Sequence, residues 1–146
     1  MKAKEYLSQY GQQERLVSSR IAQLKRLRED MSVIRAVDYS KPRVQSSPSP
    51  DAALSGVESL VDIEALLERD IVELHRLRYT IVSQIAKVPD LRYQEILTRR
   101  YVDRQSLQVI ADGMGYSYTA IAHMHGTALA KFQAINLKCT KDYKTF

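Results

Sequence analysis

"IADGMGYSYTAIAHMHGTAL", residues 110–129, sets Gly115 between two stretches that both carry helical apolar spacing, and its second stretch holds His123 and His125 but no Lys or Arg. A DNA-reading element, a metal or catalytic site, and a plain corner between packed helices all have to be weighed against it. Two helices that cross steeply through a tight turn need a small residue where one passes over the other, and a turn residue that tolerates positive φ. Ala111 and Gly115 supply these, and Ile110, Met114, Tyr116, Ile121 and Met124 supply apolar side chains at positions expected to face inward. That set is the helix-turn-helix pattern, in which the second helix is presented to the DNA major groove.

With Ile121, Met124, Ala128 and Phe132 turned inward, the outward face of the last helix carries Tyr118, Thr119, Ala122, His123 and Gly126. Tyr118 and Thr119 occupy the first turn, where a helix tip reaches base edges, and His123 follows one turn later. Ser117 is read two ways, as an N-cap alone or as a cap whose helix end also offers N–H groups to a phosphate. His123 and His125 are two residues apart, so a helix points them about 200° away from each other and they cannot share a metal ion. His75 stands among polar neighbours, and no Gly-rich phosphate loop or nucleophile elbow occurs, so neither a cofactor nor an enzyme activity is expected.

DNA binding needs cations, and none lies between Arg104 and Lys131. They must come from the flanks, Arg99, Arg100 and Arg104 before the corner, Lys131, Lys138, Lys141 and Lys144 after it. The tail "KCTKDYKTF" reads either as a basic arm or as an ordinary solvated end. Upstream, "DLRYQEILTRRYV", residues 90–102, predicts a helix capped by Asp90 that buries Leu91, Ile96, Leu97 and Tyr101. Ser106 caps the next helix, which ends at Met114, and Ser117 caps the third, from Tyr118 to about Phe132. Residues 90–134 thus form a trihelical domain, followed by a basic tail at 135–146.

The first 89 residues have a longer rhythm. Leu7, Tyr10, Val17, Ile21, Leu24, Leu27, Met31 and Ile34 recur in three- and four-residue steps, with Glu14 in the same row. Gly11 makes a bend or fraying before it an expectation. The Pro/Ser-rich stretch at about 38–57 reads as a flexible connection. From Ser59 the rhythm resumes at Leu60, Ile63, Leu67, Ile71, Leu74, Leu77, Ile81, Ile85 and Val88, and stops at Pro89. Two long helices joined in this way predict an antiparallel, coiled-coil-like hairpin, closed within one chain or exchanged between chains. Two rows alone make a thin core, so self-association through these helices is expected. The fold class is therefore all-α.

Composition agrees with a folded chain, with 45% hydrophobic and 27% charged residues among 146. The net charge of +5 conceals a basic–acidic–basic order: ten Lys/Arg against five Asp/Glu in residues 1–44, four against eight in 45–90, and eight against four in 91–146. A basic first helix can meet a polyanion or neutralise the acidic second helix. No apolar run approaches the ~20 residues that span a bilayer, and "MKAKEYLSQYGQQERL" is too polar for a signal peptide, so no membrane partner and a cytoplasmic location are expected. The single Cys139 cannot form an internal disulfide.

The segment "YQEILTRRYVDRQSLQVIADGMGYSYTAIAHMHGTALAKF", residues 93–132, resembles region four of bacterial sigma factors. Arg100, Tyr101, Ile110, Ala111, Gly115, Ser117, Ala128 and Leu129 stand at the matching places. Together with the long N-terminal helices and the Pro/Ser-rich connection, the chain resembles the sigma-like late transcription regulators of phages and prophages of Gram-positive bacteria. The resemblance implies a non-enzymatic regulator in the host bacterium's cytoplasm that binds double-stranded promoter DNA, with host RNA polymerase as a second partner. Aligned on Ala128 and Leu129, it puts base contacts at Tyr118, Thr119 and His123, while position 122, often basic in that family, is Ala. Two other readings stay open, a DNA-packaging recognition subunit that assembles in a ring, and an interaction module whose trihelical part binds protein.

Overall fold

The computed structural model describes residues 2–38 and 50–136, so residues 137–146 of the expected basic tail, with Lys138, Cys139, Lys141, Tyr143 and Lys144, lie outside the described part. Every regular element among the described residues is helical: α1 (Lys2–Asp38), α2 (Pro50–Ile85), α3 (Leu91–Leu97) running into a π-helical turn (Thr98–Val102), α4 (Leu107–Met114) and α5 (Tyr118–Ile135). No described helix is long and apolar enough to cross a membrane. Packing divides the chain into two compact units, Met1–Glu14 with Leu74–Phe146, and Arg15–Glu73. These are cut differently from the sequence blocks 1–89 and 90–134, because the first turns of α1 and the last turns of α2 pack with the short helices.

Two expectations about the long helices are corrected. α1 runs through Gly11 without interruption. Its first turns are held by packing, since Ala3, Tyr6, Leu7 and Tyr10 are all buried, and this outweighs the roughly 1 kcal/mol helix cost of a glycine. α2 begins at Pro50, so 50–57 is helix rather than connection. Proline is suited to a first helical position, where its missing N–H would have no partner and its fixed φ already fits.

The first unit holds two apolar clusters. In the larger, Ala3, Leu7 and Tyr10 of α1 meet Ile81, Ile85 and Val88 at the end of α2, Leu97, Tyr101 and Val102, and Ala128, Leu129 and Phe132 of α5. Tyr6 and Phe132 lie with ring centroids 6.2 Å apart and tilted by 31°. In the smaller, Ile96, Ile110, Ala111 and Ile121 are sealed, with Leu107, Met114 and Met124 packed around them. Leu91 is the exception to the expected face of α3, at 75% exposed. At 100° per residue it lies about 140° from Ile96, on the side of exposed Glu95.

Local chemistry sets the joints between these helices. The carbonyls freed at the end of α2 are collected by Gln94, whose Nε2 donates to Val88 O at 2.6 Å and to Ala86 O at 3.3 Å. Asp90 then caps α3 by accepting from Arg92 N at 2.9 Å. After α3 the chain widens into the π turn, where Asp103 N donates to Thr98 O at 3.0 Å, and Tyr101 and Val102 are turned into the core. In the second unit, α1 and α2 are joined by ion pairs Arg20–Asp70 and, at 2.5 Å, Arg28–Glu64. Val17 and Leu24 are buried there, whereas Ile21, expected in the same row, is about half exposed. It lies to one side of the direction that Val17, Arg20 and Leu24 share, and no third helix covers it among the described residues of its unit.

Candidate nucleic-acid interface

The corner at residues 106–121 is built by three small polar or glycine residues. Ser106, in extended conformation, accepts from Val109 N at 3.3 Å and starts α4. Gly115 ends it at φ 71°, ψ 29°, in the left-handed region, and Tyr116 N returns to Ala111 O at 3.0 Å. Ser117 (φ −71°, ψ 154°) restarts the chain as α5, its hydroxyl accepting from Ala120 N at 3.2 Å. Ala111 is sealed where α4 and α5 meet, together with Ile110 and Ile121, and Met114 and Met124 close the edges. Tyr116 was expected to face inward but is 39% exposed. The tight return onto Ala111 O carries it outward, beside the Arg92 guanidinium.

Beyond this corner the first turns of α5 stand open. Tyr118 is 52% exposed, Thr119 and His123 are exposed, Ala122 between them is half-buried, and Ser117 is exposed at the helix tip. His125, two residues on, is turned the other way. Its Nε2 lies 3.1 Å from the Tyr101 hydroxyl, and the two rings stack with centroids 5.8 Å apart. Burial holds the His125 pKa below its ordinary value, and the charges of Arg100 and Lys4 push the same way. Burial pushes the Tyr101 hydroxyl up to about 12, so it stays protonated and can donate.

Of the seven flanking cations expected at the interface, Lys138, Lys141 and Lys144 lie outside the described residues, and the other four have partners inside the first unit. Arg99 Nη2 pairs with Glu95 Oε1 at 2.7 Å, and its other guanidinium nitrogen passes so close to Gly113 that a Cβ there would sit 2.8 Å from it. Arg100 Nη1 donates to Gln105 O at 2.9 Å. Arg104 Nη1 donates to Glu14 Oε2 at 2.8 Å, which ties the linker before α4 to α1. Arg104 also holds the strained φ of 57°, uncommon for a side chain with a Cβ. Lys131 Nζ lies 4.8 Å over the Tyr93 ring. Arg104 and Lys131 are exposed, and an exposed ion pair such as Arg104–Glu14 is worth at most about 1 kcal/mol, whereas Arg99 and Arg100 are half-buried.

One cation near the corner was not among the expected residues. Arg92 Nη2 donates to Asp90 Oδ2 at 3.0 Å and Nε to Oδ1 at 3.3 Å. This bond holds the Asp90 carboxyl below the usual range, and Asp90 and then Tyr116 hold the guanidinium firmly charged. The Asp-x-Arg spacing at a helix start carried that signal, but its nearness to Tyr116 depends on the fold. What the corner offers chemically is an exposed helix edge bearing a phenol, a hydroxyl and an imidazole, with Arg92 beside Tyr116 and Arg99 against Gly113. No protein-family model matches the chain, and neither does any curated protein or solved structure.

Proposed function

We propose that the protein is a sequence-specific, double-stranded-DNA-binding transcription regulator, a long helical hairpin carrying a helix-turn-helix of the sigma region-four kind. The observation that carries this reading is the open edge of α5, with Tyr118, Thr119 and His123 uncovered beyond a corner capped by Ser106 and Ser117 and turned at Gly115. An edge of this size and polarity suits the major groove, where a threonine meets a thymine methyl or a base acceptor and an imidazole meets a purine acceptor. Arg92, Arg99 and Arg104 are the cations within the same unit that can exchange their carboxylates for phosphates. In the sigma-like reading, promoter DNA of phage or prophage genes is the target and host RNA polymerase a further partner.

Selection from a random duplex library tests the reading. It predicts enrichment of a common sequence by the wild-type chain, and a different or degenerate one by Tyr118→Ala and His123→Ala. A second reading, a trihelical module that binds protein, is favoured by the internal pairing of Arg99, Arg100, Arg104 and Lys131, the four expected cations among the described residues. Retention of no duplex at low salt would favour it, and assembly of many copies into a ring on one site would favour a packaging subunit.

A further inference from the structure

The described part of the second unit buries few apolar side chains. Among its described residues only Val17 and Leu24 are buried, while Leu60, Ile63, Leu67 and Ile71 are half-covered. The pairs Arg20–Asp70 and Arg28–Glu64 climb α1 while descending α2. The helices therefore run in opposite directions within the unit, and Lys25 comes level with the stretch around Ala65.

α2 also carries a second row. Val57, Val61, Ala65, Glu68 and Val72 follow one another at three- and four-residue steps, about a third of a turn away from the row that faces α1. All five are exposed, Val61 and Val72 at 56%. On α1 a shallow groove lies open, lined by Ile21, Leu24, Lys25, Arg28, Glu29 and Ser32. An exposed apolar row beside an open groove marks an interaction surface.

Charge selects the occupant. Leaving out Arg20, Arg28, Glu64 and Asp70, which pair within one copy, residues 15–38 hold four Lys/Arg against three Asp/Glu, and residues 50–73 hold one Arg against five Asp/Glu. Laying this α2 row on another α2 row would set acid against acid, and α1 on α1 would set base against base. Only α1 against the α2 of another copy matches in sign. We infer that the second unit is a dimerisation surface for a second copy of this chain, in which the α1 groove of each copy receives the Val57–Val72 row of the other, with Lys25 opposite Glu68. Two helices from each copy then form a four-helix bundle related by a two-fold axis. The inference is independent of the DNA reading, although a dimer would give two reading helices and the avidity that few phosphate contacts per copy require.

Sedimentation equilibrium on the full chain, without DNA, tests it. The wild-type chain is expected to be a dimer. Lys25→Glu and Glu68→Lys, each on its own, are expected to raise the dissociation constant by about tenfold or more, because each sets like charges across both contacts of the dimer. An equimolar mixture of the two variants restores opposite signs at both contacts and is expected to recover dimerisation. Val61→Lys is expected to give monomers, with helicity kept in all variants because the three positions are exposed. A monomeric wild-type chain, a ring of many copies, dimers that form only when DNA or a foreign protein is added, or single variants that associate as tightly as wild type would each overturn the inference. A monomer that binds duplex sinks this inference alone, and a dimer that ignores DNA sinks only the DNA reading.

Discussion

Leu7 and Ile21 lie on one helix, fourteen residues apart, at the same place in a seven-residue rhythm, yet Leu7 is sealed and Ile21 is half open. Leu7 belongs to a cluster built from α1, α2, the π turn and α5, whereas Ile21 belongs to a unit whose described residues are all in α1 and α2. Periodicity tells which side of a helix is apolar, and the number of elements that meet there decides how far it is buried. The same contrast distinguishes the two units: the first packs most of its apolar side chains away, and the described part of the second leaves several of them exposed.

The strongest way to break this contrast is to delete one core side chain from each unit. Phe132→Ala is expected to cost about 3–5 kcal/mol in urea denaturation, and Leu24→Ala about 2, the low end for a buried leucine. Equal costs would erase the distinction. Next come the reading positions, where Tyr118→Ala and His123→Ala should each lose about 1–3 kcal/mol of discrimination on a selected duplex, with helical circular dichroism unchanged. Arg104→Ala should instead weaken binding to every sequence and lower the salt slope by about one.

A smaller effect separates the units by pH. The His125 pKa is lowered on folding, so the unfolded chain takes up the proton first. Stability is fully present above the ordinary value of 6.5 and declines as pH falls below it. The urea midpoint of the wild-type chain is therefore expected to drop between about pH 8 and pH 5, and His125→Gln should flatten that dependence. Glu14→Gln should give the smallest change, a stability shift within about 1 kcal/mol, with tighter salt-sensitive duplex binding as Arg104 is released.

Much of the corner was legible in the sequence because its causes are local. A serine before an apolar run caps a helix wherever it stands, and Gly115 permits the left-handed turn. Ala111 could be read as the crossing point from its size and spacing. Pro50 escapes a local reading because proline both stops a helix and starts one, and only the following residues decide. Tyr116, Leu91 and Ile21 were misplaced because their surroundings come from other elements. The Glu14–Arg104 pair spans ninety residues, and no pattern along the chain announces it. The tethers of Arg99, Arg100 and Arg104 appear only when the fold is in hand.

The claim that the open edge of α5 enters a duplex groove is tested most directly by base-resolved methylation protection on a selected site, comparing wild type with Tyr118→Ala and His123→Ala. Major-groove protection by the wild-type chain that vanishes or moves at one or two base pairs in each variant is the predicted result. Protection that is absent in the wild type, or identical in all three proteins, would contradict it.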